Sequence, residues 1–212
     1  MIELWHCEGA RSFRALWALE EMGLPYCLHM LPFPPRALRK EYLSVNPLGT
    51  IPYLIDGEER LTESAAIPHY LATRHGPSPL ALAPEEPGYG AYLNWLHHGE
   101  ATLTFPQTLT LRYTVFDLQS LHAQVGKDYR KWFLSRLRML SATLEDGRAH
   151  LVGGRFTMAD VVVAYAIQLA GVTGARAEIA PHVLAWADAL QSRPGWQRAR
   201  AAEREGAAAL AP

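Results

Sequence analysis

Apolar positions recur with two different periods in the first part of the chain and with one in the second. Residues Ile2 to His6 are apolar and compact enough for a short strand, and Gly9-Ala10 breaks it. From Ser12 to Met22, Ala15, Leu16, Leu19 and Met22 fall on one face at helical spacing. Gly23 then stands as the C′ residue and Pro25 blocks continuation, the usual stop signals. Tyr26 to Leu31 is a second strand, parallel to the first because a helix-length crossover joins them. Residues 2–31 are therefore a βαβ unit. Pro32-Phe33-Pro34-Pro35 is a stiff loop, and Arg36 to Leu43 has the length of a short helix. A strand at Tyr53–Ile55, a turn at Asp56-Gly57 and a strand ending at Leu61-Thr62 form an antiparallel hairpin. Ala65 to Arg74 is helical with Ile67, Tyr70 and Leu71 on one side, and Pro68 removes one hydrogen bond from its first turn.

Pro77, Pro79, Pro84 and Pro87 give the stretch after Gly76 the composition of a linker. Beyond it strand signals nearly vanish. Tyr89–Phe105 reads as a helix with Tyr92, Leu93, Leu96 and Leu103 inward, ended by Pro106. A kinked apolar segment follows over Leu109–Leu121, then a long helix over Asp128–Asp146 with Phe133, Leu137, Leu140 and Leu144 in register. At Phe156-Thr157-Met158-Ala159-Asp160-Val161 two start devices coincide. Thr157 and Asp160 make a capping box with Asp in place of Glu, and Phe156 and Val161 make a hydrophobic staple. The helix over Val161–Ala170 is apolar nearly all round, which marks the core of an all-α domain. Pro181 starts another helix to Ser192, a last short one follows Arg193-Pro194-Gly195, and the Ala-rich tail from Ala201 is expected to fray. The pattern predicts an α/β first domain over residues 1–76, a Pro-rich linker over 77–88 and an all-α domain over 89–212.

Composition narrows the function classes. With 20 basic and 21 acidic residues the formal net charge is −1, which argues against binding nucleic acid through bulk charge. No run of about 18 apolar residues is present, so no membrane span is expected. Met1-Ile2-Glu3-Leu4-Trp5 is already a strand pattern carrying an acid, unlike a secretory signal. The two cysteines, Cys7 and Cys27, have no C-x-x-C spacing and read as free thiols in a reducing cytoplasm.

The stretch Val45 to Leu54 places Asn46-Pro47-Leu48-Gly49 in a turn and Pro52 at the start of a strand. A proline belongs at a strand's first residue or edge, and a cis bond is expected in such a tight turn. A cis Ile51–Pro52 bond lets the N–H and C=O of Ile51 face outward toward a peptide-like ligand. Four motifs then carry a resemblance over essentially the whole chain. They are Arg11-Ser12-Phe13-Arg14 with Leu19 through Tyr26, Asn46 through Pro52, Glu63-Ser64, and Phe156 through Asp160. In this order and spacing the chain resembles the cytosolic glutathione transferase family, as a bacterial, serine-type-like member that departs from the pattern at Ala10. The resemblance implies a thioredoxin-like domain joined to a helical bundle, a homodimer in the cytoplasm, and glutathione as co-substrate with no further cofactor or metal.

It also implies roles. The residue before the cis-proline, here Ile51, pairs its backbone with the cysteinyl part of glutathione, flanked by Thr50 and Pro52. Glu63-Ser64 matches the pair that takes the γ-glutamyl end, with the helix N-terminus helping at the carboxylate. The other reading of Ser64 is an ordinary helix N-cap, a role compatible with binding. Arg36, Arg39 or Lys40 could meet the glycine carboxylate, or stand as solvated surface charges. Lowering a thiol pKa from about 8.5 by about two units requires about 2.7 kcal/mol favouring the thiolate. The family supplies this from a hydroxyl or cysteine at the β1–α1 junction. Aligned on Leu19-Glu20-Glu21, Trp5 stands in the tyrosine position, Ala10 in the serine position and Arg11 in the cysteine position. Ser12 is the only hydroxyl left there, as thiolate donor or as helix N-cap. Arg11 offers a cation instead. Cys7 ends the strand rather than opening the helix, which favours a buried, inert thiol.

Tyr92, Leu96, His97, Phe105 and Tyr113 are candidate walls of a second-substrate pocket between the domains, bundle core being the other reading of each. His97 and His98 point about 100° apart on a helix and do not readily share one metal ion with Glu100. The sequence thus points to conjugation of glutathione with a small hydrophobic electrophile. The alternatives are a non-catalytic glutathione- or partner-binding protein and a glutathione-dependent isomerase, lyase or reductase.

Overall fold

The computed structural model describes residues 1–116 and 121–210. The chain forms two compact units, one of Met1–Ser78 with Gln191–Pro212 and one of Pro79–Leu190.

The first unit is built on a four-stranded sheet. Its strands are β1 (Ile2–His6), β2 (Tyr26–Met30), β3 (Tyr53–Asp56) and β4 (Glu59–Leu61), in the order β2-β1-β3-β4. β1 runs parallel to β2 and antiparallel to β3, as the lengths of the connections require. Leu4 faces Leu54 and Trp5 faces Tyr53, so the period of two sends these pairs to opposite faces. Leu4 and Leu54 are fully buried, while Trp5 and Ile55 pack on a smaller cluster of Cys7, Tyr42, Ile51 and Tyr53. α1 (Phe13–Met22) ends at Gly23 in the left-handed region, and every side chain from Phe13 to Leu19 is buried. The expected helix over Arg36–Leu43 is broken into one α-turn, α2 (Pro35–Leu38), and a 3₁₀ turn at Lys40–Ser44. α3 (Ala66–Arg74) packs against α1.

The C-terminal segment departs most from expectation. The tail is not frayed: α9 (Pro194–Ala208) is a regular helix packed on α1 and β2, within the first unit rather than the helical one. Trp196 explains the docking. Its ring meets Phe13 at 4.7 Å and Trp17 at 4.9 Å, both edge-on, an arrangement aromatic quadrupoles favour. Gly195 lets the backbone approach α1, since a Cβ there would lie 2.5 Å from Glu21 Cδ. Glu21 in turn accepts from Trp17 Nε1 and pairs with Arg193, both at 2.9 Å.

The second unit is helical. α4 (Tyr89–His97) passes into a π-helical stretch at His98–Thr104, then α5 (Phe105–Leu111) and a second π stretch at Arg112–Phe116. Pro106 therefore does not end the helix. It lies in the first turn of α5, just after the change of hydrogen-bond register, where its missing N–H costs least. The expected kinked segment over Leu109–Leu121 is seen as far as Phe116, and its residues 117–120 lie outside the described ones. α6 (Ala123–Leu144) begins earlier than its pattern suggested and buries Phe133, Leu137, Leu140 and Leu144 as expected. α7 (Met158–Val172) is buried on almost every side, and α8 (Pro181–Gln191) follows. The capping box is formed: Asp160 accepts from the Thr157 N–H at 2.8 Å and from the Leu151 N–H at 2.9 Å. Residues after Pro79 are tied to the start of α7, because Arg155 donates to the carbonyls of Pro79 and Ala81 and pairs with Glu86.

Candidate functional site

The turn before β3 is held from inside. Asn46 Nδ2 and the Tyr42 hydroxyl both donate to the Thr50 carbonyl at 2.8 Å, and Asn46 Oδ1 accepts from the Leu48 N–H at 3.1 Å. Gly49 has φ +59°, and a Cβ there would meet Arg36 Cβ at 2.7 Å and Leu43 Cδ2 at 2.8 Å, so glycine is required twice over. The Ile51–Pro52 bond is cis. The β1–β3 ladder stops at the Trp5–Tyr53 pair, leaving Ile51 beyond it. Among the described residues, no backbone bond of the loops and turns engages the Ile51 N–H or C=O. Ile51 and Pro52 have buried side chains, whereas Thr50 is exposed.

Glu63 and Ser64 close the corner between β4 and α3. Glu63 is exposed and Ser64 is buried at 2% exposure. Ser64 is not the N-cap of α3, a place taken by Ala65. Its hydroxyl instead accepts from Arg14 Nη1 at 2.9 Å, and Arg14 is itself fully buried on α1. A buried guanidinium without well-placed acceptors costs several kcal/mol, so Arg14 and Ser64 form a structural pair that fixes this corner. Arg36, Arg39 and Lys40 are exposed, and Arg39 lies 3.7 Å from Glu41 in a loose surface pair.

At the β1–α1 junction Ser12 takes the expected N-cap position, but its hydroxyl is engaged elsewhere. Ser12 is fully buried, at the N-cap position of α1 but without a side-chain cap bond. Its Oγ lies 2.6 Å from His6 Nδ1 and accepts from the Cys7 N–H at 3.4 Å. His6 Nε2 lies 3.1 Å from Glu203 Oε1, which also accepts from the Gly9 N–H at 2.8 Å. The other oxygen of Glu203 pairs with Arg200. His6, Ser12 and Glu203 are all shut off from solvent. A thiolate donor must present its hydroxyl to the ligand, and this one is held inside the unit. Ser12 is thereby corrected from catalytic donor to a member of a buried polar chain. Cys7 is buried as expected, and burial pushes its thiol up to about 12.

The five candidates in the second unit are not alike. Tyr92 and Leu96 are buried at 0% and 3% exposure, so they are core and offer no wall to a small molecule. His97 and Phe105 are exposed, and Tyr113 is half-buried with its ring edge-on to His122. The His98 ring lies edge-on against Trp95 at 5.1 Å.

Arg14, His6 and Glu203 escaped the sequence reading. Arg14 sits amid Phe13, Ala15, Leu16 and Trp17, and a charge inside an apolar run is the signal that reveals it. His6 shares the period-two face of Ile2 and Leu4, which is the buried one. Glu203 had no signal, since it lies in an Ala-rich stretch whose helix docks through residues distant in sequence.

Residues 10–74 match the model of the glutathione S-transferase N-terminal domain, and residues 129–194 that of the C-terminal domain. The chain is 30% identical over 203 residues to glutathione S-transferase F10 of Arabidopsis thaliana, covering 91% of this chain and 93% of that protein. It is 29% identical over 200 residues to glutathione S-transferase 3 of Zea mays, covering 89% and 88%. A glutathione transferase structure from Methylococcus capsulatus superposes with a TM-score of 0.82 at 26% identity, over 96% of this chain and 98% of that one. The glutathione transferase URE2P6 of Phanerochaete chrysosporium, solved with oxidized glutathione, shares the fold with a TM-score of 0.83 at 24% identity over 97% of each chain. The two domain matches together span more than half of the sequence, and the chain belongs to the glutathione S-transferase family.

Proposed function

We propose that the chain binds glutathione on its first unit and conjugates the thiolate to a small hydrophobic electrophile. The observation that carries this reading is the corner at the start of β3. There the Ile51 peptide lies beyond the ladder, Ser64 is held by Arg14, and Glu63 faces solvent. Ile51 pairs with the cysteinyl backbone of glutathione, beside Thr50 and Pro52. The N–H groups opening α3, on a corner that buried Ser64 holds against Arg14, receive the γ-glutamyl carboxylate, Glu63 meets the ammonium, and Arg39 meets the glycine carboxylate once it exchanges Glu41 for the ligand. The cysteinyl sulfur then lies against the β1–α1 junction.

With the Ser12 hydroxyl buried, thiolate stabilisation falls to the N-terminus of α1 and the cation of Arg11. A helix end supplies about 0.3–1 kcal/mol at an exposed site and up to about 2 when partly buried. That falls short of the about 2.7 kcal/mol needed for a two-unit shift, so Arg11 supplies the rest. The thiol proton leaves to solvent, the thiolate sulfur bonds to the electrophilic carbon, and the leaving group departs with its electron pair. His97, Phe105 and Tyr113 are the remaining candidates for contacts to the electrophile. Among the described residues, no helix is long and apolar enough to cross a membrane. The homodimer and the cytoplasmic location implied by the resemblance belong to the same reading.

The burial of Ser12, together with Ala10 at the serine position, also favours a second reading in which glutathione is bound but not activated. Disulfide exchange fits less well, because Cys7 is buried with a thiol raised to about 12. Retention on immobilised glutathione, combined with an ultraviolet absorbance titration of the bound thiol, separates these readings. Retention with a depressed thiol pKa supports conjugation. Retention with an unshifted pKa leaves binding alone, and no retention removes both.

A further inference from the structure

The carboxylate of Glu203 meets both the last residue of β1 and the loop that follows it. It accepts from the Gly9 N–H at 2.8 Å, meets His6 at 3.1 Å, and reaches Ser12 through the His6 ring at 2.6 Å. We infer that Glu203, on α9, is a positioning residue for the β1–α1 loop, holding residues 7–12 in the conformation that receives the cysteinyl sulfur. The part concerning the sulfur rests on the glutathione reading above.

Docking α9 alone does not account for an acid here. α9 is already fastened by Trp196 against Phe13 and Trp17 and by the pairs Arg193–Glu21 and Arg198–Glu20. Burying a carboxylate carries a desolvation penalty of several kcal/mol, and an apolar side chain of similar volume often serves as well or better for stability. What an apolar side chain cannot do is accept the Gly9 N–H and orient His6. Gly9 has φ +68°, so the loop makes a left-handed turn at the residue the carboxylate grips. Burial alone would raise the Glu203 pKa, but the hydrogen bonds from His6 and Gly9 and the charge of Arg200 bring it below the usual value. The group therefore stays an acceptor at neutral pH. From Gly9 the chain runs directly into Ala10 and Arg11, the residues that open α1.

The test compares Glu203→Met, which keeps bulk and loses the acceptor, Glu203→Ala, and Glu203→Gln, which keeps an acceptor. Arg198→Ala is the control that loosens α9 without touching the loop. Amide exchange is followed in a peptide covering residues 7–12, alongside glutathione affinity and turnover with 1-chloro-2,4-dinitrobenzene. In E203M and E203A, loop exchange should rise by at least about tenfold and kcat fall by about tenfold, with glutathione Kd held within about threefold. E203Q should return exchange and kcat to within about threefold of the wild type, and R198A should change neither. Unchanged loop exchange in E203M and E203A overturns the inference. So does exchange that rises equally throughout α1 and α9 with Kd and kcat failing together, which is the mark of plain unfolding. If the wild type neither binds glutathione nor turns over, the proposed function falls, and the exchange comparison alone still decides whether Glu203 holds the loop.

Discussion

Arg14 Nη1 donates to Ser64 Oγ across 2.9 Å, and both side chains are buried. The pair ties the middle of the first helix to the corner where a γ-glutamyl group is expected, so binding and stability are linked through one hydrogen bond. Ser64→Ala should lower unfolding free energy by about 1–3 kcal/mol, because it leaves a buried charged donor without this acceptor. It should also weaken glutathione binding by at least about tenfold. Urea denaturation and calorimetric titration read the two effects separately. Loss of affinity with no loss of stability would mean that the pair has no structural part.

The two thiols should behave differently in the folded protein. Burial holds the Cys7 thiol near 12, which leaves about one part in ten thousand as thiolate at pH 8. Cys27 is only half-buried. Iodoacetamide should modify one site per chain at pH 8, and mass spectrometry should place it at Cys27. Modification of Cys7 should appear only after denaturation.

Asp160 caps α7 and also holds the Leu151 N–H. Asp160→Ala should cost about 2–4 kcal/mol, the sum of a lost cap and a buried donor left without this partner. Burial raises this carboxyl to about 6, its hydrogen bonds from Leu151 and Thr157 only partly opposing the shift. An acid raised on folding contributes stability that is full below its unfolded value near 4 and is lost as pH rises toward 6. The wild type should therefore lose stability over that window relative to Asp160→Asn, as measured by chemical denaturation at fixed ionic strength.

Trp196→Ala should destabilise the first unit by about 3–5 kcal/mol, the usual range for emptying a buried aromatic site. The sheet and α1 lose a shared neighbour, so near-ultraviolet circular dichroism should report the change together with thermal unfolding. A shift confined to the last turns of α9 would contradict the packing described.

Local signals made much of this molecule legible. Gly23 and Pro25 marked the end of α1, connection lengths set the strand directions, and Thr157 with Asp160 announced the start of α7. What escaped depends on contacts between residues far apart in sequence. Ser12 looked available because nothing near it reveals that His6 and Glu203 enclose it. Pro106 looked like a helix end because a change of hydrogen-bond register leaves no trace in composition. Alanines after 201 looked like fraying, since small residues say nothing about whether a partner surface exists. Tyr92 and Leu96 have the same helical spacing whether they fill a core or line a pocket.

The first unit is discontinuous: residues from Gln191 onward fold back onto a sheet made by the first 78. During synthesis the ribosome must therefore finish the entire helical unit before β1, β2 and α1 gain their last covering layer. A premature stop codon a few residues after Arg193 would spare the second unit's chain entirely. Its damage would fall at the opposite end of the polypeptide, on the loop around Gly9 and the sheet behind it.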